Sequence, residues 1–207
     1  MAKEIKNDLN NTNRACKVIK YSIGRKMRKR FLKKPKDVVA FIDSQNLNLG
    51  TQRMGWNMDW RKFRKYLKDE YKVTKAYMFI GYMSENESLY EYMHSLGYLV
   101  VLKPTLDFGS VQDKNDQKEK IPIKGNVDTE IVLMAMKEIN NYSKAVIVSA
   151  DGDFYSLIEY LDSKHKVAAI LTPNWQYSKL LKEFDKYIVN LDKIKAKLRY
   201  RKNPKIK

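Results

Sequence analysis

The stretch AVIVSADGDFYSLIEYL, residues 145–161, decides how this chain is read. AVIVS (145–149) is an apolar run of the kind found in a strand covered on both faces. FYSLIEYLDSK (154–164) predicts a helix. Between them sit Asp151, Gly152 and Asp153. Two carboxylates at the end of a buried strand are costly unless a positive charge sits among them. Gly152 is expected to let the turn bend so that both acids face one ion.

The same alternation continues outward in both directions. VVAFI (38–42), VTKAYMFI (73–80), YLVVL (98–102) and KVAAIL (166–171) predict further strands, and KYIVNL (186–191) a last one at the edge. Helices are expected over 59–71, with Asp59 as N-cap, over 87–97, closed by Gly97, and over 177–184. A helix over about 127–140 is apolar nearly all round and is therefore expected to be largely buried. Residues 103–126 form a polar connection, longer than most in compact domains. Strands alternating with helices predict an open, mostly parallel α/β sheet with helices on both faces.

Charge divides the chain into three. Residues 1–37 hold 13 Lys/Arg against 3 Asp/Glu, and residues 192–207 hold 8 against 1, whereas the span between carries 20 of each. The expected organisation is a basic N-terminal arm (1–37), a neutral domain (38–191) and a basic C-terminal tail (192–207). Basic ends of this kind suit a polyanion, because each Lys or Arg set on a phosphate releases counterions. One cysteine, Cys16, excludes an intrachain disulfide and a thiolate zinc site. No apolar run has the length of a membrane span, and the first residues lack the apolar block of a signal peptide. A cytoplasmic protein without a membrane partner is expected.

Ligands of open α/β sheets bind beyond the carboxyl ends of the strands, where the strand order reverses. In a sheet ordered 3-2-1-4-5, the strands ending at Asp43 and at Asp151 and Asp153 are neighbours that flank this reversal. Asp128 opens the helix leading into strand four. Two carboxylates about 5 Å apart repel by roughly 3 kcal/mol at an effective dielectric near 20. Either some of these acids are protonated or a cation neutralises them. Oxygen ligands alone suit Mg²⁺ or Mn²⁺ better than zinc.

With these residues in view, the chain resembles the NYN domain family, in the LabA-like branch of the PIN-like ribonuclease superfamily. The matching segments are FIDSQNL (41–47), KPT (103–105), KGNVDTEIVLMAM (124–136) and IVSADGDFYSLIEYL (147–161). The resemblance implies a PIN-like Rossmannoid three-layer fold with an acidic pocket that uses Mg²⁺ or Mn²⁺ to cleave RNA. It implies that Asp43, Asp128, Asp151 and Asp153 are catalytic metal ligands. Asn46 matches the asparagine of the family's D-x-x-N and would orient water or a phosphate, and Ser149 matches the serine of its S-G-D-G-D-F signature. Two departures accompany the resemblance. Ala150 stands where the signature has glycine, and Met134 stands where relatives carry a second acid about two turns into the helix after Asp128.

Lys103 and Lys124 border the long connection and are candidate contacts to a substrate backbone. Trp56, Tyr82, Phe108, Trp175 and Tyr177 are candidate stacking residues for unpaired bases. The two histidines, His94 and His165, lie far from the acids in sequence, which argues against a histidine-based ribonuclease. A phosphatase of the haloacid-dehalogenase type is disfavoured, because Ser44 and Gln45 follow Asp43 with no second acid at the required spacing. Two readings stand: a metal-dependent endoribonuclease, and a non-catalytic RNA-binding adaptor favoured by Met134 and Ala150. Single-stranded DNA remains open as a partner beside RNA.

Overall fold

Val38–Asp43 forms β1, and five of its six residues are buried. A strand hidden on both faces must lie inside the sheet, and β1 does. The computed structural model describes residues 37–103 and 127–201. Within them β1, β2 (Val73–Gly81), β3 (Leu99–Lys103), β4 (Lys144–Val148), β5 (Val167–Thr172) and β6 (Ile188–Asn190) form one sheet in the order β3-β2-β1-β4-β5-β6. Every neighbouring pair runs parallel. The chain grows outward from β1 to β3, then returns to lay β4 on the other side of β1. The expected mostly parallel three-layer α/β fold is the observed one.

Period-2 alternation along β1 sends Ala40 and Ile42 to one core and Val39 and Phe41 to the other. The first core is closed by α1 (Ser44–Arg53), α2 (Trp60–Tyr71) and α3 (Glu87–Ser95), through Leu47, Phe63, Leu67 and Met93. Phe63 and Leu67, one helical turn apart, are fully buried, each contributing about 1.5–3 kcal/mol. The second core is closed by α4 (Asp128–Lys137), α5 (Tyr155–Ser163) and a 3₁₀ stretch over Lys179–Tyr187. Asp59 caps α2 as expected, its carboxylate accepting from the Lys62 amide at 3.1 Å. Gly97 takes a φ of +84°, a turn that favours glycine.

Four local features differ from the sequence reading or were not part of it. Residues 44–53 form α1, a helix that SQNLNLGTQR does not advertise, since only Leu47, Gly50 and Thr51 are buried. Of the apolar residues of α4, Ile131 and Ala135 enter the core, while Leu133 and Met136 are 57% and 37% exposed. One face of a single layer touches the sheet, so an all-round apolar helix is not buried all round. The segment expected as an α-helix over 177–184 is a 3₁₀ stretch, broken at Phe184 (φ −105°, ψ 23°).

The fourth lies at the C-terminal end. Residues 192–201, expected as the start of a basic tail, fold back over α2. The short helix α6 (Lys195–Leu198) buries Leu198, Met58 pairs with Arg199 in an antiparallel bridge, and the Asp59 amide donates to the Leu198 carbonyl at 2.9 Å. The lysines of this segment stay at the surface while Leu191, Ile194 and Leu198 pack, so the basic spacing hides an apolar stripe.

Candidate metal centre

The parallel pairing of Ile42 with Val148 brings the carboxyl ends of β1 and β4 side by side. Asp43 ends β1 and is 6% exposed. Its Oδ1 accepts from the Asn46 amide at 3.0 Å, which starts α1 in the manner of an N-cap. Its Oδ2 accepts from the Ser149 hydroxyl at 3.4 Å. Ser149, itself 2% exposed, accepts in turn from the Asp151 amide at 3.2 Å. The Asn46 side-chain oxygen accepts from the Ala150 amide at 3.0 Å. Side-chain links between the first residues after β1 and those after β4 therefore fix the two strand ends together.

Asp151, rather than Asp153, supplies the cap of the turn that follows. Its Oδ1 accepts from the Asp153 amide at 3.0 Å and starts the 3₁₀ turn Gly152–Phe154 that leads into α5. The Asp153 carboxylate accepts no hydrogen bond among the described residues. Gly152 does not take a positive φ. A Cβ there would meet the Ser178 Oγ at 2.4 Å, so glycine is needed for close approach to the segment before the 3₁₀ stretch. Ala150 also avoids positive φ, which makes alanine in place of glycine tolerable.

Oxygen atoms of Asp128, Asp151 and Asp153 all lie within 4.8 Å of one another. Asp128 is the first residue of α4, so a helix N-terminus adds partial positive charge to the group. Asp43 stands beside this triad rather than in it. Burial pushes its carboxyl up to about 6, the Asn46 amide and Ser149 hydroxyl oppose that shift, and the charges of Asp128 and Asp151 add to it.

The donor set fits a hard divalent cation. Among the described residues it offers carboxylate oxygens only, the hard ligands through which Mg²⁺ is held with waters completing its shell. Among the described residues no sulfur or imidazole joins the cluster, which favours Mg²⁺ or Mn²⁺ over zinc.

The other candidates divide. Lys103, at the end of β3, has its Nζ 3.0 Å from Glu130 Oε2, so it faces the first turn of α4 as one half of an ion pair. Glu130 is not one of the grouped acids. Met134 packs against the second core. Lys124 and Phe108 lie outside the described residues. Trp56 is buried and donates from Nε1 to Asp192 at 3.0 Å, and the Tyr177 hydroxyl bonds Asp185 at 3.1 Å, so both are tied into the fold. Asn174 escaped the sequence reading. It is 3% exposed and bridges α1 to the loop after β5, donating to the Gly50 carbonyl at 2.8 Å and accepting from the Gln176 amide at 2.7 Å. Nothing in TPNWQYS announces it, because its partner lies 124 residues earlier.

A doubly wound parallel sheet whose two central strands end in acids, with a third acid supplied by a helix start, defines the PIN-like class of α/β domain. The chain matches the NYN domain over residues 37–192 and belongs to that family, which is built on the PIN-like nuclease fold. It is 25% identical over 167 residues to Low amplitude and bright protein LabA of Synechococcus elongatus, across 79% of this chain and 88% of that protein. A protein of unknown function from Vibrio parahaemolyticus has the same fold, with a TM-score of 0.61 at 19% identity, covering 81% of this chain and 98% of the other. Among the described residues, no helix is long and apolar enough to cross a membrane.

Proposed function

We propose that this protein is a metal-dependent endoribonuclease that hydrolyses phosphodiester bonds at the acidic end of β1 and β4. The observation that carries this reading is the convergence of Asp128, Asp151 and Asp153 within 4.8 Å, beside a buried Asp43. Asp128, Asp151 and Asp153 hold a Mg²⁺ or Mn²⁺ ion, and Asp43 completes the negative wall behind it. When bound, the ion offsets the charge that grows on a phosphate under in-line attack and makes water a stronger nucleophile.

The rest of the work falls to the chain. Ser149 keeps Asp43 and Asp151 in fixed relation through its hydroxyl, a positioning task rather than a substrate contact. Asn46 spends its side-chain oxygen on Ala150, and its amide nitrogen has no protein partner among the described residues. That nitrogen is free to donate to a phosphate oxygen. The basic segments, 1–37 and the lysines and arginines after 192, supply salt-sensitive affinity for RNA. The protein then works in the cytoplasm on RNA, with single-stranded DNA as the competing substrate.

The test is incubation of labelled single-stranded RNA, structured RNA and single-stranded DNA with Mn²⁺, Mg²⁺ or EDTA. RNA cleavage that requires the metal is expected. Tight, salt-sensitive RNA binding without cleavage under any metal would replace the nuclease by an RNA-binding adaptor, the reading that Met134 in place of an acid favours.

A further inference from the structure

The C-terminal residues that fold back over α2 build a surface together with it. Backbone bonds join the two segments. The Asp59 amide donates to the Leu198 carbonyl at 2.9 Å, the Tyr200 amide donates to the Asn57 carbonyl at 2.8 Å, and the Met58–Arg199 bridge lies between them. Lys62 adds a staple, its Nζ donating to the Arg199 carbonyl at 2.9 Å. A segment fixed in this way presents its side chains in one arrangement, unlike a free tail.

Charge on this surface is sorted. Its acids are half-buried and occupied: Asp59 caps α2, and Asp192 accepts from Trp56 Nε1 at 3.0 Å. The cations Arg61, Lys193, Lys197, Arg199 and Arg201 are exposed, and their side chains make no ion pair or hydrogen bond among the described residues. Tyr200, 58% exposed, stands between two of these arginines. Leu191, Ile194 and Leu198 are taken up by the first core, so the segment keeps no apolar stripe with which to enter a bilayer. Open cations beside an exposed ring suit a phosphate backbone better than a lipid surface.

We infer that the start of α2 and residues 193–201 form one preformed RNA-binding face, separate from the acidic centre, that grips the substrate backbone away from the bond to be cleaved. The inference rests on the nuclease reading for RNA as the polyanion, and not for cleavage. The face belongs to the layer over the first core, whereas α4 and α5, beside the acids, close the second. It still lies toward the same end of the sheet. The chain leaves α2 for β2, whose first residue pairs with the first residue of β1, so α2 runs back from the carboxyl end of the strands and begins there with Arg61. The substrate class follows as RNA long enough to extend past the cleaved bond onto this face.

The experiment titrates a labelled single-stranded RNA with the full-length protein in EDTA, over a range of salt, and follows fluorescence anisotropy. Arg61→Ala and Lys197→Ala, far apart in sequence, should each weaken binding about fivefold and lower the salt slope by about one, as loss of a phosphate contact does. Combined, they should weaken it about twentyfold, since separate contacts add. Lys137→Ala removes an equally exposed charge from the last turn of α4 and should bind as wild type.

Equal losses from Lys137→Ala, or none from Arg61→Ala and Lys197→Ala, would overturn the face and leave only general attraction to a chain of net charge +17. Phosphatidylserine vesicles that displace the RNA from wild type but not from the double variant would replace RNA by a membrane surface and overturn it too. Weakened binding by the face variants of a protein that cleaves no RNA would retain the face and remove the nuclease. Metal-dependent cleavage with wild-type RNA affinity in those variants would do the reverse.

Discussion

Without divalent metal at pH 7, Asp43→Asn should be more stable than wild type by up to about 3 kcal/mol, the cost of a carboxyl raised by roughly two pH units. The cause is burial first, with the charges of Asp128 and Asp151 adding to it. The unfolded chain releases this proton near 3.8 and the folded one near 6. Between those values the folded state binds the proton more tightly, so the favourable term is complete below about pH 4 and disappears as pH rises through 6. Asparagine keeps an oxygen to accept from the Asn46 amide, and its amide nitrogen can donate to Ser149. Urea unfolding in EDTA across pH 4–8 should therefore show wild type losing stability relative to the variant between pH 4 and 6. A variant less stable than wild type at pH 7 would mean that the carboxylate is ionised and well satisfied in the fold.

The second large effect is on turnover. Asp151→Asn should lower metal-dependent RNA cleavage by at least about 100-fold, since even groups one step removed from a metal are worth roughly 10–100-fold. The substitution separates two roles of one side chain. Its Oδ1 still accepts from the Asp153 amide and keeps the turn into α5, whereas the negative charge beside Asp128 and Asp153 is gone. Unchanged thermal unfolding with lost cleavage is the expected pair of results. Cleavage within a few-fold of wild type would remove Asp151 from the reaction.

Sequence carried the fold best where local and long-range demands agreed. Buried on both faces, β1 and β4 had to be central, and AVIVSADGDFYSLIEYL showed strand, turn and helix in one line. The aspartates were legible for the same reason: strand order alone brings residues 43 and 151 together. Sequence could not show α1, whose helix rests on the Asp43 cap and on Leu47 facing the sheet rather than on an apolar stripe. It could not separate the capping role of Asp151 from that of Asp153, since either aspartate suits a helix start. Lys103 looked like a loop cation until α4 set Glu130 against it. Leu198 was hidden among lysines, and the Asn174–Gly50 bond joins residues too distant in sequence for any local pattern to reveal.

The most direct test of the account is a calorimetric titration of metal-free protein with Mn²⁺ at pH 7, for wild type and Asp151→Asn. Saturable binding to wild type, greatly weakened in the variant, is what an oxygen-only site at Asp128, Asp151 and Asp153 predicts. Equal binding by both proteins, or none by wild type, would contradict it and leave the acids as parts of the fold rather than a metal centre.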